Sequence, residues 1–328
     1  MSDPVKFWLA IPPEVMTEYA GTQVGRYYTD IDVMLETQRV AYDMFLDRYD
    51  WKLPEPGRVD APAYVGATAL GAKMYIPDND QAMIRGYPLT TPESLDLLEL
   101  PNSYFDTHWA GFYRDMRDEM QAMVGDTKHV TMGHGQEGPV TTAKLLRGED
   151  FLVDLHTDPA RAHRVMDIAT ESFIQFGREI REVNRQPLTG GMGICDDFAG
   201  LISPAMWPEF VMPYLLRIYE AFEAEHRSLH SELLRVEHLP MLNDLGVTHF
   251  DPGQDQYLEL KNILDTIDIP TSWNIPTVRV MLQSSASDVA DAFHQAMETG
   301  ATEIMVSVCP GTPPENVIAF LEAGRHYD

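Results

Sequence analysis

From about Lys128 onward, short apolar runs alternate with longer stretches of helical periodicity. The runs are His129–Met132, Leu188–Ile194, Arg227–His230, Val247–Phe250, Thr271–Trp273 and Ile304–Val308. Each is too short for a helix and is closed by a polar or Gly-containing turn, so each predicts a strand. Between them, Val165, Ala169, Phe173, Phe176 and Ile180 mark one apolar stripe at helical spacing. Asp158-Pro159 supplies an N-cap and a proline at the first helical position. Ser203-Pro204 opens a further helix, which Pro213 is expected to kink. Thr312-Pro-Pro-Glu315 has capping-box spacing and opens the last helix.

Strands alternating with helices predict βα units and a parallel sheet. The fold class expected is α/β, a (β/α)8 TIM barrel formed by the single domain 1–328. Residues 1 to about 110 read as an irregular, aromatic and Pro-rich extension plus the first barrel elements, with one clear helix near Ile31–Tyr49. In such a barrel, polar residues just after the strands lie on the face that carries chemistry.

Composition narrows the classes. The 328 residues are 44% hydrophobic and 23% charged, which fits a globular chain with ample core material. No run approaches the roughly 18 apolar residues of a membrane span. The N-terminal Met-Ser-Asp-Pro-Val-Lys lacks the layout of a secretory signal, so a cytoplasmic location is expected. Two cysteines, Cys195 and Cys309, make no disulfide framework. A net charge of −27 argues against nucleic acid and anionic lipid as partners, since both need Lys/Arg patches.

The chemistry concentrates in a split trio. His230 and Glu232 lie two apart at a strand end, which puts both side chains on one face. Cys309 closes the last strand. If the fold joins those ends, one N, one O and one S donor converge, and three protein ligands with an open position suit a catalytic zinc. Read without that context, the same residues are a structural His and a buried Cys. Asp196 and Asp197 could orient a ligand or take a proton, or simply serve as turn carboxylates. His134, between two glycines, is a candidate for a polar contact in the cleft. Asn274 follows Trp273 at another strand end and is a candidate for holding a cofactor. His238 reads as a surface residue and His249 as interior. Phe7 and Trp8 could wall the cleft or pack against the barrel.

Four segments carry a resemblance. They are Gly138–Gly148 running on to Asp154-Leu-His-Thr-Asp-Pro159; Asp197-Phe-Ala-Gly-Leu-Ile-Ser-Pro204 with Phe210–Tyr214; His230-Ser-Glu232 with Leu242–Val247; and Thr312-Pro-Pro-Glu-Asn-Val317. Together, in this order, they resemble the uroporphyrinogen decarboxylase superfamily, including its cobalamin-dependent zinc methyltransferase branch. The resemblance implies a barrel with its cleft at the C-terminal face. The decarboxylases carry Arg-Gln-Ala-Gly-Arg-Tyr near the N-terminus, where this chain has only Val24-Gly-Arg-Tyr-Tyr28, and Asp60 matches their catalytic Asp only loosely.

The methyltransferase branch binds zinc through His-x-Cys and a late Cys, which implies His230, Glu232 in place of the middle Cys, and Cys309. A carboxylate for a thiolate leaves the metal a stronger Lewis acid and favours polarising an oxygen. The expectation is a zinc-dependent methyltransferase moving a methyl group from a small-molecule methyl ether to the cobalamin of a separate corrinoid protein. Transfer from a methylated cobamide to a thiol of the coenzyme M type is the alternative, and a decarboxylase-like lyase is a further one.

Overall fold

The computed structural model describes residues 5–327, so the first four residues of the N-terminal segment read for targeting lie outside the described residues. Eight strands form: β1 (Lys6–Ala10), β2 (Met74–Tyr75), β3 (Met83–Ile84), β4 (Gly190–Cys195), β5 (Ala224–His230), β6 (His249–Asp251), β7 (Ser272–Ile275) and β8 (Glu303–Ser307). β4, β5 and β6 pair in parallel, as do β7, β8 and β1. A parallel bridge between Phe250 and Thr271 joins the two sets into one arc of six strands. β2 and β3 form a small antiparallel hairpin. The alternating strands and helices predicted from Lys128 onward are present, and the chain has an α/β fold.

The N-terminal third departs from its reading as irregular. It holds helices at Pro13–Ala20, Val24–Thr29, Ile31–Tyr49 and His108–Val124, and β1 lies in the main sheet beside β8. Two of these helices are too short to show a periodic stripe. β1 is stabilised by a strand at the other end of the chain, which no local pattern reveals. The expected strand His129–Met132 shrinks to one parallel bridge between Val59 and Met132. The reason is local: the N–H and C=O of Met132 both bond to the side chain of Asn184, each at 2.9 Å.

The longest helix follows its sequence pattern. Asp158 accepts from the Arg161 N–H at 3.2 Å, and Pro159–Val183 runs on from that cap. All five residues of the predicted stripe are buried. Pro213 does not kink a helix but sits in the first turn of Met212–Ala221, after a break at Val211. A proline there loses no helical hydrogen bond, so the chain restarts rather than bends.

Two clusters of buried apolar residues surround the arc. One packs around β4, β5 and β6, the other around β1, β8 and the N-terminal helices, and Trp273 of β7 touches both. Among the described residues no helix is long and apolar enough to cross a membrane.

Candidate active site

Side chains alternate along each strand, so Ser228 and His230 of β5 share a face, as do His249 and Asp251 of β6. All four line a cavity of about 410 Å³, together with Trp8 of β1, Cys195 of β4, Ser272 of β7 and Met305 of β8. Register places Cys195 opposite His230, and His230 opposite Asp251, at the C-terminal ends of three adjacent strands.

His230 is the hub. Its Nδ1 lies 3.0 Å from Asp251 Oδ2 and its Nε2 lies 3.1 Å from Asp197 Oδ1. Burial pulls its proton affinity down, but hydrogen bonds and charge from Asp197 and Asp251 outweigh that and push its pKa up to about 10. Asp251 is held in turn: its Oδ1 accepts from Asn274 Nδ2 at 2.7 Å and from the Gly253 N–H at 2.9 Å. Burial alone would raise the Asp251 carboxyl, yet the His230 contacts leave it below its ordinary value. Nearby, burial first and then the charges of Asp197 and Asp196 push Glu137 up to about 9. Glu137 Oε2 is buried without a hydrogen-bond partner. Cys195 opens onto the cavity, and burial with the surrounding carboxylates pushes its thiol up to about 12.

The expected residues sort into three groups. His230 ends β5, and Glu232 lies just past the strand rather than within it. Both crowd Gly253, where an added Cβ would lie 2.5 Å from Glu232 Oε1 and 3.0 Å from His230 Cε1. Gly253 has φ +61°, a backbone state open to glycine. Cys309 does not join them as a ready cluster. Among the described residues no three His, Cys, Asp or Glu side chains form a metal-holding group. Cys309 is gripped by Thr312 instead: its N–H donates to Thr312 Oγ1 at 3.1 Å, and that hydroxyl donates to the Cys309 carbonyl at 2.7 Å. The expected Thr312–Glu315 capping box is therefore not formed. Pro313 caps the last helix with no side-chain bond.

Asp197 faces His230, whereas Asp196 turns away and is fully buried. Its carboxylate accepts from the Val140 N–H at 3.0 Å, the Thr141 N–H at 2.7 Å and the Thr141 hydroxyl at 2.8 Å. That is the N-terminus of the helix Pro139–Arg147, so Asp196 caps a helix rather than meeting a ligand. Asn274 orients Asp251, at one remove from any cofactor. His134 lines the cavity, its pKa lowered by burial and by the charge of Arg181.

His238 is buried, contrary to its reading as a surface residue, and bonds the Arg235 N–H and the Ile202 carbonyl. His249 is interior as read, 2.9 Å from Glu303. Trp8 lines the cavity, while Phe7 packs on Trp51, Phe293 and Phe320. Asp60 accepts from the Tyr27 hydroxyl on one oxygen and from Arg58 at 3.0 Å on the other.

Sequence reasoning missed Asp251, Glu137, Arg181 and Gln136. For Asp251 a signal existed: it is an acid closing a strand candidate just before Pro-Gly. The other three stand in a loop or in a helix's last turns and carry no pattern of their own.

A family model described as uroporphyrinogen decarboxylase (URO-D) matches residues 3–327. Among solved structures, a methyltransferase from Methanosarcina mazei shares the fold with a TM-score of 0.75 at 18% identity, over 100% of this chain and 95% of that one. A B12-independent methionine synthase from Shewanella sp. W3-18-1 aligns with a TM-score of 0.47 at 13% identity, over 90% of this chain and 88% of that one. Among curated proteins none matches the chain.

Proposed function

The chain belongs to the uroporphyrinogen decarboxylase family, and from that premise we propose that it is a zinc-dependent methyltransferase that demethylates a small methyl ether. The acceptor proposed is the cobalamin of a separate corrinoid protein seated at the cavity mouth. We also read the six-strand arc, with the segments meeting at Val59 and Met132, as one (β/α)8 barrel built by the whole chain.

The observation that carries this reading is the fixed imidazole of His230. A metal-bound His commonly donates its other N–H to a carboxylate, which sets its tautomer and orientation. Asp251 stands in that place, itself held by Asn274 and the Gly253 N–H. Glu232 lies beside the same ring at Gly253. The surroundings are rich in acid: Asp197 and Glu137 face one imidazole, and Glu137 Oε2 has no partner. This donor set suits a divalent cation. His230 and Glu232 would hold it, with Cys309 joining them only on release from Thr312, and when bound it would act as a Lewis acid on the donor's ether oxygen.

The remaining work falls to the chain's own residues. Asp251 keeps Nδ1 protonated and turns Nε2 toward Asp197. Asp197 neutralises positive charge there and can accept a proton at its carboxylate. Cys195, its thiol kept protonated, adds a weak donor to the wall rather than a competing thiolate. Trp8 and Met305 line the cavity and would give a methyl donor an apolar seat.

Elemental analysis of anaerobically purified protein tests the proposal. About one zinc per chain is expected in the wild type, with loss in His230→Ala and weakening in Cys309→Ala. Wild-type protein that takes up no zinc on reconstitution would overturn it. Full retention in Cys309→Ala would remove that residue from the ligand set.

A further inference from the structure

The cavity has two electrostatically different ends. The acidic end lies around His230. At the other end stands Arg181, from the last turn of the helix Pro159–Val183. Among the described residues it meets no carboxylate. Its guanidinium donates to the carbonyls of Pro187, at 2.9 Å, and Gly191, touches Met192 Sδ at 4.0 Å, and lies over the Phe222 ring at 4.7 Å from its centroid, none of which neutralises its charge. A guanidinium has five N–H donors, so two carbonyls leave it capacity for an anion. Burial lowers the Arg181 pKa, as befits a cation with no counter-ion, and its charge reaches His134 across the cavity. Gln136 lines the same space, and its Oε1 is buried with no hydrogen-bond partner, an acceptor that suits a donor group on a ligand rather than its anion. In a chain of net charge −27, an unpaired guanidinium facing a cavity is not explained by the general surface.

We propose that Arg181 anchors a carboxylate, and that the small molecule this cavity takes is an organic acid with a slim apolar body. Arg181 bonds at the level of Gly191 and Met192, while the His230 cluster sits at the level of Cys195. Three to four strand residues separate them, roughly 10–13 Å at about 3.3 Å per residue. Gly193, Ser228 and Met305 line the span between, the glycine leaving room for a narrow body and Met305 supplying an apolar wall. An acid anchored at Arg181 through an aromatic or short aliphatic body therefore directs its far end toward His230. One guanidinium fits a monoanion better than a phosphate dianion. That the far end carries the methyl group rests on the methyltransferase reading; the anion subsite does not.

Calorimetric titration of the full chain, free of metal and corrinoid protein, with benzoate and its neutral isostere benzamide tests the subsite. A charge-assisted pair at Arg181 is expected to favour benzoate by about 10–100-fold. Arg181→Met is expected to erase that preference, and Arg181→Lys to keep part of it. Equal binding of the two ligands, binding of neither, or an undiminished preference in folded Arg181→Met overturns the proposal. If Arg181→Met fails to fold, the wild-type comparison and Arg181→Lys still decide: a preference unaltered by lysine, which has no planar fork, counts against the guanidinium contact. Neither zinc nor methyl transfer enters these titrations, so this proposal and the methyltransferase reading fail separately.

Discussion

Asp251 Oδ2 lies 3.0 Å from Nδ1 of His230, and the other oxygen of the same carboxylate is bound by Asn274 and by the Gly253 N–H. The carboxylate cannot rotate away without breaking two further bonds, so the ring orientation of His230 is set from β6 and β7 rather than by its own strand. Removing the charge while keeping the shape isolates this role. Asp251→Asn is expected to lower zinc affinity by about 10–100-fold, the usual effect of losing such a partner. Asn274→Ala is expected to act in the same direction and more weakly. Competition with a chromogenic chelator measures both, and wild-type affinity in Asp251→Asn would show that His230 is oriented by something else.

The same cluster makes a statement about pH. The folded protein holds His230 protonated to about 10, against an ordinary 6.5, and Glu137 to about 9, against 4.5. In both cases the folded state binds more protons than the unfolded chain between those values. Stability contributed by these groups is complete at low pH and is lost as pH rises toward 9 to 10. Asp251, lowered instead, acts at the acid end, where its contribution disappears as pH falls through its folded value. Metal-free protein is thus expected to melt at progressively lower temperature from pH 6.5 to pH 10. Glu137→Gln should flatten the slope. Zinc needs deprotonated ligands, so the stabilisation it adds should grow over the same range. Scanning calorimetry across that range decides, and a flat or rising profile without metal would contradict the assignment.

Much of this architecture was legible in the chain because its signals are local. The stripe from Val165 to Ile180 repeats over a 25-residue helix, long enough for the period to stand out. The strand Glu303–Ser307 is an apolar run closed by Cys-Pro-Gly. His230 ends its strand and Glu232 lies just beyond it, yet both side chains reach Gly253. What escaped is what depends on distant partners. β1 is a strand because β8 lies beside it. Thr312 abandons its cap because Cys309 offers both a donor and an acceptor. Asp196 and Asp197 are chemically identical neighbours, and only the three-dimensional turn after β4 sends one to a helix terminus and the other to His230. Arg181 reads from sequence as a basic residue favouring a helix C-terminus, and the unpaired cavity cation appears only once the helix is packed.

The division of labour between those two aspartates can be tested. Asp196 satisfies two backbone N–H groups and one hydroxyl of the helix Pro139–Arg147. Asp196→Ala is expected to cost about 1–3 kcal/mol for the buried donors it strands, with little change in zinc affinity. Asp197→Ala is also expected to lower stability, because it takes away one of the two carboxylates that hold the protonated His230 imidazole, while changing the metal site. Denaturant unfolding together with metal titration of both variants separates these outcomes. A stability loss confined to Asp197→Ala would reverse the assignment.

Asn184 poses the last question, because it stands where a strand would otherwise pair. Its side-chain amide accepts from the Met132 N–H and donates to the Met132 carbonyl, both at 2.9 Å, so one residue replaces a rung of sheet. Asn184 follows directly on the helix that carries Arg181, so the contact ties the end of that helix to the Val59–Met132 bridge. An aspartate would keep the acceptor and lose the donor; a leucine would lose both. Each backbone group left unpaired in this buried setting costs about 1–3 kcal/mol. The expected order of stability is therefore wild type, then Asn184→Asp, then Asn184→Leu, read from denaturant midpoints. If Asn184→Leu matched the wild type, the Met132 backbone would have to find another partner.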